Sequence, residues 1–307
     1  MAFEDAPALP DFIAAMLPQA RRCYRLETGP DAARRMHLLD DGPREATAIV
    51  MVHGNPTWSF LWRKVIAALP PGKFRCIAPD LLGLGLSDRL PSASEHTLER
   101  HADAVAQVVH ACEPRRVILV GQDWGGPIAA AVGARMPERV VGIVLANTSV
   151  IAPTKPLRTA FHRLARLPIV GELAFRGLSL PVRAKPLVQG DRASIRGDVA
   201  RAYRWPMRKF ADRIAPLALA RMVPNTATHP SLPELRRGQA FVESFPGPAA
   251  LVWGTRDPIL GRALARHERL LPEAPVTITS AGHFLQEEVP EALAAAIDDV
   301  AARAAFG

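Results

Sequence analysis

The sequence predicts an α/β fold: a mostly parallel, doubly wound sheet with an inserted helical segment. Three observations carry this expectation. Short apolar runs, such as Ala46-Thr47-Ala48-Ile49-Val50-Met51-Val52 and Val117-Ile118-Leu119-Val120, read as strands buried on both faces. These runs alternate with helical stretches, the pattern of a parallel sheet. The alternation then stops between residues 148 and 225, where Pro-punctuated helical patterns hold no convincing strand, and resumes near Ala249.

Residues 46–52 form a strand that ends at His53-Gly54. A helix from Trp58 to Leu69 stops before Pro70-Pro71. Phe74 to Ala78 is the next strand, followed by the Gly-rich loop from Asp80 to Asp88. Residues 97–112 read as a helix, 117–121 as a strand, and a further helix runs to about Met136-Pro137. Val140 to Leu145 is a strand ending at Asn147. After the insertion come a strand at Ala249 to Trp253, a helix near 259–270 and a last strand, Val276 to Thr279. Pro290 opens the final helix, an early position where its missing N–H costs nothing. Residues 1–147 and 226–307 are thus expected to form one main domain, and 148–225 a helical cap.

Composition sets bounds. The 307 residues are 49% hydrophobic, enough for one large domain with an insertion, or for two domains. No apolar run is long enough to span a bilayer. The segment Met1-Ala2-Phe3-Glu4-Asp5-Ala6-Pro7 is acidic and Pro-interrupted, unlike a secretory signal. Cys23, Cys76 and Cys112 are scattered and lack metal-site spacing. They read as core residues of a protein in a reducing, cytoplasmic setting.

Net charge is +8, and it is uneven. Residues 155–225 carry 15 Lys/Arg against 4 Asp/Glu, so the rest of the chain is net acidic. A solvated helical surface accounts for such a segment. Sharper readings are contact with an anionic surface or attraction of an anionic substrate. No Arg-rich run is interleaved with stacking aromatics, which argues against a nucleic-acid partner.

The chemistry concentrates where strands end, as it does in open α/β sheets. Asp123 stands in Gly121-Gln122-Asp123-Trp124-Gly125-Gly126, directly after a strand. The pattern resembles the G-x-S-x-G nucleophile elbow, a sharp strand-to-helix turn, with aspartate in place of serine. Asp257 and His283 follow the last two strands, giving the order nucleophile, acid, histidine. Displacement by serine at a saturated carbon would leave an ether; a carboxylate leaves an ester that water can open. Asp123 therefore suits displacement followed by hydrolysis. A helix N-cap is the structural alternative for Asp123, and a turn aspartate before Pro258 is that for Asp257. His283 would be the general base for water, with Asp257 on its other ring nitrogen. Backbone hydrogen bonding of a loop histidine is its structural alternative.

His53-Gly54-Asn55-Pro56-Thr57-Trp58 and the Asp123 motif together resemble the haloalkane dehalogenases of the α/β-hydrolase superfamily. The resemblance covers about residues 34–300; Gly282-His283-Phe284 and the Asp80 to Ser87 loop are shared more widely. It implies halide release with water as the only co-substrate and with no cofactor or metal. It also assigns the departing halide to the side-chain N–H donors of Asn55 and Trp124, whose backbone N–H groups would form the oxyanion hole. Asn55 with Asp257 resembles the subfamily having an Asp-His-Asp triad and an Asn-Trp halide pair. Core packing for Trp124, and a turn before Pro56 for Asn55, are the structural alternatives. Trp205 reads as cap core or pocket wall, and Asp80, Gly83, Gly85 and Ser87 as a structural loop.

Two rivals remain. Epoxide hydrolases share the aspartate and histidine but use cap tyrosines, and only Tyr203 of the two tyrosines, Tyr24 and Tyr203, lies in the cap. A non-catalytic binding protein on an intact hydrolase fold would be signalled by a missing triad member, and none is missing.

Overall fold

The apolar runs lie side by side at the centre of a nine-stranded sheet in a computed structural model. The structure describes residues 3–157 and 159–305. Met1 and Ala2 of the N-terminal segment, and Arg158 of the basic segment, lie outside the described residues.

The strands are β1 (Phe3–Asp5), β2 (Arg21–Arg25), β3 (Arg35–Asp41), β4 (Ala48–Val52), β5 (Arg75–Pro79), β6 (Val117–Asp123), β7 (Val140–Thr148), β8 (Ala249–Gly254) and β9 (Val276–Thr279). Their order across the sheet is β1-β2-β3-β5-β4-β6-β7-β8-β9. From β5 to β9 every pairing is parallel; β1, β2 and β3 join antiparallel. Strands β4, β5 and β8 are buried along their whole length. Strands β4 and β8 therefore read as unbroken apolar runs, while β5 opens on Arg75, whose guanidinium is paired with Asp40.

The three antiparallel strands are absent from the sequence expectation. Strand β2, Arg-Arg-Cys-Tyr-Arg, is mostly polar, so no apolar run marks it. The expected helix at 58–69 is split into a 3-10 turn, Ser59–Trp62, and a helix, Arg63–Ala68. The helix expected near 259–270 starts as a 3-10 turn at Gly261–Ala263 and is α-helical over Leu264–Leu270.

Helices cover both faces. On one side the helix Gly125–Gly133, buried at every position, is flanked by Leu98–Ala111 and Leu232–Ser244. On the other side Pro290–Ala304 packs against β7, β8 and Arg63–Ala68. Thr97 caps the helix Leu98–Ala111 by accepting the Arg100 backbone N–H.

Among the described residues, no strand occurs between Thr148 and Ala249. Short helices fill the stretch, including Ala160–Arg166, Gly197–Arg204 and Ile214–Arg221. A small core of Ala165, Ala174, Phe175, Leu217 and Ala220 holds part of it together. Among the described residues no helix is long and apolar enough to cross a membrane.

Candidate active site

The chain leaves β4 to one side to form β5 and returns on the other to form β6. The carboxyl ends of β4 and β6 therefore flank a topological switch point, where α/β sheets leave a crevice. Val52 pairs with Gly121, so the two strand ends are level. Asn55 and Asp123, each just beyond that register, meet in the crevice.

Asp123 ends β6 with φ +51, the left-handed region that an L-residue adopts at a cost. The turn needs close neighbours without side chains: a Cβ on Gly54 would overlap Asp123, and one on Gly125 would overlap the Val52 carbonyl. Thr148 donates its hydroxyl to the Asp123 carbonyl at 2.6 Å. The Asp123 carboxylate is largely but not fully covered, at 16% exposed. Its Oδ1 accepts the backbone N–H of Asn55 at 2.7 Å, and its Oδ2 lies 3.5 Å from His283 Nε2.

His283 completes the line. Its Nδ1 lies 2.9 Å from Asp257 Oδ2, and both side chains are sealed from water. Burial alone would drive the imidazole toward neutrality. The carboxylates of Asp257 and Asp123 overcome that and raise its pKa to about 10. The Asp257 carboxylate makes two separate contacts: Oδ2 lies against the histidine ring, while Oδ1 accepts the Ile259 N–H at 2.7 Å as a turn aspartate does.

Three groups that the sequence reading left without a role fix the histidine loop. Asn147 has φ +36 and falls at a register shift, where Gln122 pairs with Ala146 but Asp123 with Thr148. The bulge turns its side chain toward the loop. Its amide donates to the carbonyls of Gly282 at 2.8 Å and His283 at 3.1 Å, while its Oδ1 accepts the Gly254 N–H at 2.9 Å. Gln122 donates to the His283 carbonyl at 3.1 Å. The His283 N–H donates to Val188 in the insertion at 2.8 Å. Spacing could not reveal these contacts, because each depends on a bulge or on a distant segment.

Trp124 is buried and opens the helix Gly125–Gly133; among the described residues its indole N–H has no partner. Asn55 differs from the expectation in one respect. Its side-chain amide donates one N–H to the Pro216 carbonyl at 3.0 Å, tying it to the helix Ile214–Arg221. One amide N–H remains for a ligand. His53 is kept neutral by burial, with Nε2 accepting the Leu81 N–H at 3.0 Å.

The remaining candidates sort themselves. Asp80 is buried, and its carboxylate accepts the N–H groups of Ser59 at 2.6 Å and Leu86 at 2.7 Å and faces His37 at 2.9 Å. Gly83 and Gly85 take positive φ in the same loop, and Ser87 donates to the Asp80 carbonyl at 2.7 Å. This is the structural loop expected. Trp205 is half-buried against the core, with Arg208 over its ring at 4.7 Å. Tyr203 commits its hydroxyl to Glu287 at 2.6 Å, in a buried network with Arg63. Tyr24 is buried in β2, in the antiparallel part of the sheet. Cys23, Cys76 and Cys112 are buried and unpaired, and burial pushes the Cys76 thiol up to about 12.

Comparison with known proteins adds family relationships. The alpha/beta hydrolase fold family matches residues 47–290. A haloalkane dehalogenase 2 of Mycobacterium tuberculosis is 35% identical over 272 residues, covering 87% of this chain and 92% of that protein. A cis-3-alkyl-4-alkyloxetan-2-one decarboxylase of Xanthomonas campestris is 31% identical over 287 residues, covering 89% and 93%. The crystal structure of haloalkane dehalogenase DbeA from Bradyrhizobium elkani superposes with a TM-score of 0.79 at 26% identity, covering 89% of this chain and 96% of that one.

Proposed function

Because this chain belongs to the haloalkane dehalogenase family of the α/β-hydrolase superfamily, we propose that Asp123 performs its carbon–halogen cleavage by a covalent, two-step route. Residues 148–225 act as the cap over that site, and a small haloalkane and water are the reactants.

The observation that carries the reading is the division of labour between the Asp123 oxygens. Oδ1 is held by the Asn55 N–H, so Oδ2 is the attacking atom. Oδ2 forms a bond to carbon while the halide leaves with the bonding pair. Trp124 offers its free indole N–H and Asn55 its second amide N–H to the departing ion. The product of this step is a neutral aspartyl ester.

Ester formation changes His283. The charge and hydrogen bond of Asp123 help hold the proton on its ring, and both are lost when the carboxylate is alkylated. Only Asp257 still favours the imidazolium, so proton affinity falls when a base is needed. His283 releases that proton to solvent and, now neutral, takes one from the water that attacks the ester carbonyl. Charge grows on Oδ1, where the Asn55 N–H already points and the Trp124 backbone N–H would assist. Collapse frees the alcohol and restores the carboxylate.

A single turnover in ¹⁸O-water tests the route. The alcohol should carry oxygen from Asp123, and the heavy isotope should appear in the Asp123 peptide. Label in the alcohol alone would mean direct attack by water.

One second reading has a specific basis, the decarboxylase relative. On an oxetan-2-one, Asp123 would attack the ring carbon bearing the ring oxygen, freeing a carboxylate. Loss of CO2 would then push electrons into a C=C bond and expel Asp123, without water. Halide release from 1-bromobutane, against alkene formation from the lactone, separates the two. Epoxide hydrolysis is disfavoured, since the Tyr203 hydroxyl is already engaged with Glu287. We infer a cytoplasmic setting from the three buried, unpaired thiols.

A further inference from the structure

The outer side of residues 157–210 exposes side chains that water-facing surfaces seldom gather. Among the described residues, ten of the twelve exposed large hydrophobic side chains fall in this stretch. Ile169 is 82% exposed, Leu187 64% and Leu173 60%. Single exposed aliphatics are ordinary, but a cluster marks a surface that is covered by something.

Contacts join these residues into one area. The helices Ala160–Arg166, Val170–Glu172 and Leu180–Arg183 follow one another around the π-helical turn Leu173–Gly177. The Phe161 ring packs on Phe175 at 5.1 Å, and the Arg176 guanidinium lies over Phe210 at 4.1 Å.

The charges are equally one-sided. Among the described residues from 155 to 209, nine Lys/Arg are exposed against two acidic residues, Asp191 and Asp198. Arg163 and Arg183, beside the aliphatic patch, have no acidic partner among the described residues. Their positive charge is therefore free to meet an external anion.

We propose that this arginine-rimmed aliphatic face docks on the surface of an anionic lipid bilayer. Aliphatic side chains on a face rimmed with Lys/Arg are the composition that settles at a membrane interface. A bilayer supplies both an apolar layer and a sheet of negative charge at every point. A second copy of the chain supplies the apolar layer but brings the same positive charge face to face. The docking is peripheral, and it stands apart from whichever reaction Asp123 performs. The helix Ala160–Arg166 of this face packs against the helix Ile214–Arg221, whose Pro216 carbonyl holds the Asn55 side chain, so the face lies one helix away from the site. An apolar substrate dissolved in lipid would then meet the site without crossing water.

Sedimentation of the full chain with vesicles tests this. Vesicles of 70% phosphatidylcholine and 30% phosphatidylglycerol should carry the protein down; pure phosphatidylcholine should not. Binding should be lost in 0.5 M NaCl, and it should weaken about fivefold for each charge removed in R163Q and R183Q. I169E with L173E should abolish binding while leaving the circular dichroism spectrum and turnover of a water-soluble substrate unchanged, since both side chains are exposed. No sedimentation with the anionic vesicles would overturn the proposal, as would binding that survives I169E/L173E. Concentration-dependent dimers that I169E/L173E dissolve, with no vesicle binding, would assign the face to a second copy instead.

Discussion

The backbone N–H of Asn55 meets Oδ1 of Asp123 at 2.7 Å, so the two oxygens of this carboxylate are not equivalent. This asymmetry arises because β4 and β6 end level in the sheet.

Replacing Asp123 with Asn keeps the hydrogen bond from Asn55 but removes the nucleophilic charge. Halide release should fall by about 10⁴-fold or more. A halide electrode assay with 1-bromobutane reads this directly. Activity within tenfold of wild type would rule out the covalent step.

His283→Gln removes the proposed base without changing Asp123. The variant should release about one halide per protein and then stop, and intact-mass spectrometry should find the alkyl adduct. Continued turnover, or no adduct, would contradict the assignment of His283 to the second step.

Trp124→Phe keeps the ring and deletes the indole N–H. Alkylation should slow by about 10²–10³-fold, the usual cost of one donor at a developing charge. Asn55→Ala should slow it too, and should also destabilise the fold by about 1 kcal/mol through the lost bond to Pro216. Rapid-quench measurement of the first halide released, with urea unfolding, separates these effects.

Asp257→Asn should lower the His283 pKa and reduce hydrolysis by about 10³–10⁴-fold. It also has a pH signature. His283 binds its proton more tightly folded than unfolded, so the resulting stability is complete below pH 6.5 and lost as pH rises to about 10. The stability gap between wild type and Asp257→Asn should therefore shrink from pH 6.5 to 10. An unchanged gap across urea midpoints in that window would remove Asp257 from the ring nitrogen.

Asn147→Ala leaves the Gly254 N–H and the Gly282 carbonyl without their buried partner. It should cost about 2–3 kcal/mol in urea unfolding. Asn147→Asp keeps one acceptor but buries a charge, so it should not recover that loss.

The parts legible in the sequence are those set by local chemistry. The strands around Asp123 were readable because parallel strands buried on both faces are apolar throughout. Asp123, Asp257 and His283 stand out in the sequence because each lies at or within a few residues of a strand end; β9, ahead of His283, is the half-exposed Val-Thr-Ile-Thr and shows by its β-branched residues rather than by an apolar run. Strand β2 was not, because its polar residues lack an apolar run. Asn147 and Gln122 were not, because what they do depends on a bulge and on the loop that returns to them from 135 or more residues later. The bond from Asn55 to Pro216 spans 161 residues and no motif announces it.

Tyr203 bonds to Glu287, one turn beyond His283, and Gln189 accepts the Phe284 N–H at 2.8 Å. Glu288 in turn accepts the N–H groups of Gly190 at 3.0 Å and Asp191 at 2.8 Å. These contacts weld one end of the helical insertion to the histidine loop. Exchanging that insertion wholesale between relatives to alter substrate range would thus remove the scaffold of the His283 loop. A graft that stops before Val188 and keeps residues 188–203 from the host would vary the approach to the site while leaving its proton chemistry anchored.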